Sequence, residues 1–92
     1  MAKVCIVKNA YEADVKAVEV ARADEADLLV FVEKAGAKAL GDTRWFYSGS
    51  VFACTTKLFW TNPDDPKALK VFFVDEESEA KWTTEHPLRG QL

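Results

Sequence analysis

Histidine is nearly missing from this chain: His86 is the only one in 92 residues. A single imidazole, just ahead of Pro87, permits neither a histidine-rich zinc site nor a Ser-His-Asp triad with a choice of base. Cysteine is almost as scarce, with Cys5 and Cys54 alone and no Cys-x-x-Cys. Two thiols without a secretory leader are not a disulfide framework. Cys5, inside an apolar tract, reads as a small core residue, and whether it meets Cys54 is left open by spacing. The four glycines (Gly36, Gly41, Gly49 and Gly90) are dispersed at turns, so no phosphate-cradling loop exists. There is no excess of positive charge: 12 Lys and Arg face 15 Asp and Glu, for a formal charge of −3. That balance, with cations scattered, argues against a nucleic-acid partner. No apolar run approaches the roughly 20 residues that span a bilayer, and Met1-Ala2-Lys3-Val4 does not open a signal peptide. These absences predict a soluble, cytoplasmic monomer with no membrane partner, no metal site and no cofactor.

What the chain does have is apolar content, 49% of residues, including three Trp, six Phe and two Tyr. That is enough to give one domain over 1–92 a core of its own, although a chain this short buries only about 60–65% of its extended surface.

The apolar residues recur in a phrase. Val4-Cys5-Ile6-Val7 leads to Glu12-Ala13-Asp14, Ala17-Val18-Glu19-Val20 leads to Glu25-Ala26-Asp27, and Val71-Phe72-Phe73-Val74 leads to Glu79-Ala80-Lys81. Propensity alone offers a βαβ reading of the first third, with a helix over 10–26. The stretch fails as a helix because Val15, Val18 and Val20 do not hold an i, i+3, i+4, i+7 stripe. Alignment on the turn alanines (Ala13, Ala26, Lys38 or Ala39, Ala53, Ala68, Ala80) gives six strand-plus-turn units, at 3–14, 15–27, 28–41, 42–56, 57–69 and 70–82, with a C-terminal tail at 83–92. About seven residues between strands are too few for a stable helix, so single helical or 3-10 turns are expected, with Asp24, Ser50 or Ser78 available as caps. Tracts apolar at every position imply strands covered on both faces. The fold class expected is mainly β, in one compact domain.

Val15-Lys16-Ala17-Val18-Glu19-Val20, Leu28-Leu29-Val30-Phe31-Val32 and Lys70-Val71-Phe72-Phe73-Val74-Asp75-Glu76-Glu77-Ser78-Glu79-Ala80-Lys81-Trp82 resemble the repeats of the small septoil-knot domains. The resemblance covers about residues 3–82 and is weakest over 34–66, where Pro63 and Pro66 intrude. It implies short β-strands wound into a seven-crossing torus knot, and it brings no biochemical activity and no site residues. A plain β-solenoid satisfies the same periodicity. The apolar character of the end units favours the closed arrangement, since a solenoid needs polar caps.

No catalytic constellation emerges. The recurring acids Glu12, Asp14, Glu25, Asp27 and Glu79 suit turn capping or ion pairing with Lys3, Lys16 and Lys70, and Asp75-Glu76-Glu77 reads as a solvated turn. A hydrolase built on Cys54 has no supporting spacing. The first functional expectation is a non-enzymatic domain selected for resistance to unfolding. The alternative is a protein-interaction module using the aromatics of the second half, with Trp45, Trp60 and Trp82 as the candidate partner-binding residues.

Overall fold

The computed structural model describes residues 2–39, 41–49 and 52–92. Seven strands follow one another as β1 (Ala2–Ile6), β2 (Val15–Glu19), β3 (Leu28–Val32), β4 (Arg44–Tyr47), β5 (Thr56–Trp60), β6 (Leu69–Phe73) and β7 (Lys81–Trp82). Each of Ala13, Ala26, Ala39 and Ala80 closes a 3-10 turn, its N–H donating to the carbonyl three residues back. The turns need no side-chain cap. Asp24 and Ser78, expected as caps, lie inside their turns, while Arg22 and Glu76 hold the cap positions without a side-chain bond; Ser50 lies outside the described residues.

The strands close into a six-stranded parallel barrel in the order β4-β1-β5-β2-β6-β3, β3 returning to β4, with β7 antiparallel outside β3. A solenoid would pair consecutive units. Here the chain travels the barrel twice, and the second lap (β4, β5, β6) fills the gaps left by the first (β1, β2, β3). The acids of the repeat stitch these laps together. Asp14 accepts the backbone N–H of Lys57 on its carboxylate at 3.0 Å and donates its own N–H to the Lys57 carbonyl. Asp27 does the same with Lys70. The ion pairs expected with Lys3, Lys16 and Lys70 are not formed among the described residues; those present are Arg22–Asp24, Arg44–Glu77 and Arg89–Glu85.

Register is screw-like. The middle residue of a strand pairs with the last residue of one neighbour and the first of the other: Ala17 meets Trp60 and Leu69, and Val71 meets Glu19 and Leu28. Because side chains alternate along a strand, every second residue faces inward, and three layers result. Ala2, Val15, Leu28, Thr56 and Leu69 form the lower layer, at the amino ends of the strands, and all are buried. Val4, Ala17, Val30, Trp45, Leu58 and Val71 form the central layer, each at most 1% exposed. The upper layer is Ile6, Glu19, Val32, Tyr47, Trp60 and Phe73. The outer face is covered too, as the unbroken apolar tracts required: Cys5, Val18 and Leu29 point away from the barrel axis yet are buried.

The lower end is closed by the chain's own tail. Leu92 joins the core cluster, with Leu88 and Trp82 packed against it. Asp42 holds this plug, accepting from the Trp82 indole at 3.0 Å, from the Leu92 N–H at 3.0 Å and from the Gly90 N–H, while its carbonyl accepts the Trp45 indole. Gly90 reaches Asp42 with φ +85°, a backbone that disfavours any side chain.

Turn alanines stand where windings approach one another. Ala26 is 4% exposed and its carbonyl accepts the Thr83 hydroxyl from the tail. Ala26→Leu is expected to cost about 1–3 kcal/mol or more through overpacking; the less buried Ala80→Leu should cost less. Urea midpoints compare them, and near-zero loss at Ala26 would exclude a close crossing there.

Candidate binding end of the barrel

The two barrel ends differ. The lower end is plugged, whereas the upper layer, at the carboxyl ends of six parallel strands, is left open: Ile6 is 48%, Tyr47 39% and Val32 38% exposed. Strand order sets the ring as Tyr47, Ile6, Trp60, Glu19, Phe73, Val32 and back to Tyr47. Five members are apolar or aromatic and one is a carboxylate. Trp60 and Phe73 belong to the strands on either side of Glu19, diagonal to it in register and within reach of a long side chain. Their rings meet edge to face at 6.1 Å, and Phe73 meets the buried Trp45 below at the same separation. The Tyr47 phenol is held above its ordinary range, first by burial and then by the negative charge of Glu19. It therefore presents a neutral O–H at physiological pH.

Of the three tryptophans expected to bind a partner, the structure corrects one. Trp45 is wholly buried in the central layer, because it lies one residue pair below the rim; it offers no surface. Trp60 is half-buried at the rim. Trp82 is half-buried at the opposite end, bonded to Asp42 and stacked on His86 at 5.7 Å. The three are not one patch. His86 is structural, its Nδ1 accepting the Leu88 N–H. Cys5 is buried as expected and forms a disulfide with Cys54.

Two clefts open on the outer wall. One of about 400 Å³ is lined by Val7, Tyr11, Glu12 and Lys57. The other, about 230 Å³, lies between the end of β3 and the last 3-10 turn, and Phe31, Val32, Glu33, Lys38 and Glu77 line it. Glu33 is buried with Oε2 lacking a donor. Desolvation, and then the Glu77 carboxylate beside it, raise its pKa, against the opposing pull of Arg44 and Lys38. The folded state thus holds this proton more tightly than the unfolded chain, so the contribution of this group to stability is fully present below 4.5 and is lost as pH rises through the raised value. Glu33→Gln is expected to flatten that fall and to raise the melting temperature at neutral pH. Identical pH profiles for variant and parent would refute the assignment.

Sequence reasoning missed Glu19, Ile6, Val32 and Glu33. The signal was available for three of them, since Ile6, Glu19 and Val32 are the last residues of strands whose starts are evenly spaced.

A family model described as "7(1) septoil knot domain" matches residues 1–83. No curated protein and no solved structure matches the chain.

Proposed function

For a chain that belongs to the septoil knot domain family, we propose a non-catalytic role: a monomeric binding scaffold that engages a protein partner through the open upper end of its barrel. The observation that carries this reading is the asymmetry of the ends. One end has its apolar layer covered by the tail; the other leaves Ile6, Val32 and Tyr47 exposed beside the half-buried Trp60 and Phe73. Exposing clustered apolar side chains is unfavourable in water, and a rim held by six paired strands is a rigid platform needing little ordering on binding.

The test is selection of displayed peptides against the whole protein, with counter-selection on Val32→Arg, which places a charge in the rim while leaving the two buried layers intact. Peptides that bind the parent and not the variant are expected. Failure to select any, or selection of peptides that bind both equally, would remove the open end as the site.

The scaffold's resistance to unfolding is the second part of the proposal. The resemblance implies a threaded chain, and threading slows unfolding routes without requiring a large equilibrium stability. Its unfolding rate is expected to be slower than that of knot-free β-domains of equal ΔG. Equal rates would sink this part.

A further inference from the structure

Glu19 is the anomaly of the rim. A carboxylate among five apolar or aromatic side chains lowers the apolar area available to a partner. Among the described residues it has no ion-pair partner. Two nearby arginines are engaged elsewhere: Arg22 pairs with Asp24, and Arg44 with Glu77. Its diagonal neighbours in register are aromatic, Trp60 and Phe73, whose rings meet edge to face with centroids 6.1 Å apart. Opposite stands the neutral Tyr47 hydroxyl, which can accept a hydrogen bond.

This is the complement of a weakly hydrated, planar cation carried on an apolar stem. A guanidinium satisfies each element at once: two N–H donors for the carboxylate, a flat face for the Trp60 ring, and methylenes for Val32 and Ile6. An ammonium satisfies the charge but stacks less well and is costlier to strip of water.

We propose that the open end recognises a partner segment that presents an arginine side chain between apolar residues, the guanidinium seated on Glu19 beside the Trp60–Phe73 pair. This rests on the reading of the open end as the binding surface, and it adds the chemistry of what binds there.

The experiment uses the full chain and an acetylated, amidated peptide Leu-Arg-Leu-Leu, with Lys, norleucine and Glu versions at the second position. The readout is the indole N–H resonances of the three tryptophans. Trp45 and Trp82 are bonded to Asp42 in the core and at the plug, so they serve as internal references, and Trp60 reports on the rim. The Arg peptide is expected to shift Trp60 alone and saturably. Norleucine should weaken binding by about tenfold, the sum of one exposed charge pair and one cation–π contact; Lys should fall between, and Glu should abolish it. Glu19→Gln should weaken the Arg peptide by a few-fold, the share of the charge pair, and leave norleucine binding unchanged. Equal binding of Arg and norleucine, or an Arg affinity unmoved by Glu19→Gln, would overturn the arginine proposal alone if Val32→Arg still abolishes both peptides. Indifference of Trp60 to every peptide, or of binding to Val32→Arg, would overturn the open-end reading itself.

Discussion

Reduction of the Cys5–Cys54 disulfide is expected to cost about 4 kcal/mol of folding free energy. The bond joins β1 to the segment just ahead of β5, with Cα atoms 5.8 Å apart and a separation of 49 positions in sequence. Cross-linking a loop of roughly 50 residues removes about that much entropy from the unfolded chain. For a domain whose net stability falls in the range of about 5–15 kcal/mol, that is a large share. Urea unfolding with and without reductant, alongside the Cys5→Ala/Cys54→Ala double variant, measures it. The two routes should agree, since Cys5 is buried in the wall. A loss under about 1 kcal/mol would show that the unfolded chain is already confined without the bond. The measurement also bears on compartment. Persistent disulfides belong to oxidising settings, and in a reducing compartment the dithiol form would be the one at work.

Trp45→Ala is the substitution with a comparable effect, expected to destabilise by about 3–5 kcal/mol. Trp45 is the largest fully buried side chain and one of six in the central layer. It contacts Phe73 edge to face and donates its indole N–H to the Asp42 carbonyl at 2.7 Å. Removal leaves a cavity on the barrel axis, and it also frees the residue whose carboxylate pins the tail. Loss of the plug should follow, visible as faster amide exchange at Gly90 and Leu92 than in the parent. Trp60→Ala, at the rim, should cost clearly less. Equal losses at the two sites would contradict the layered description.

That contrast shows what a linear reading could reach. The strands and their alanine-closed turns were legible because each unit repeats its own local chemistry, and because Ala13, Ala26, Ala39 and Ala80 terminate 3-10 turns by the same backbone bond. The strand order was not legible. Every pairing within the barrel, apart from β3 with β4, unites units far apart in sequence, and no local feature of Asp14 reveals that its partner is Lys57. Trp45 and Trp60 look alike in composition. They differ by one step along the strand direction, central for one and terminal for the other, and that step separates burial from exposure. Glu19 was misplaced for the opposite reason: it reads as a polar residue within a strand, and only closure of the barrel reveals an inward-facing position. The Asp42 anchor lies in a turn with no motif, and the tail it holds, which continues past the residues matched by the family model, carries no copy of the repeat.

The alternation of laps has a consequence for the halves of the molecule. Around the barrel no first-lap strand is hydrogen-bonded to another first-lap strand, and no second-lap strand in the ring is hydrogen-bonded to another of its own. Neither half can therefore build a sheet by itself; each is a set of isolated ribbons until the other arrives. A nascent N-terminal half leaving the ribosome has nothing to pair with, so the ladder forms only once the second half is made. By the same logic, a chain severed between β3 and β4 divides into two complementary combs, and mixing them should restore the barrel as a bimolecular reaction. The protein is, in its architecture, a heterodimer whose subunits share a single backbone.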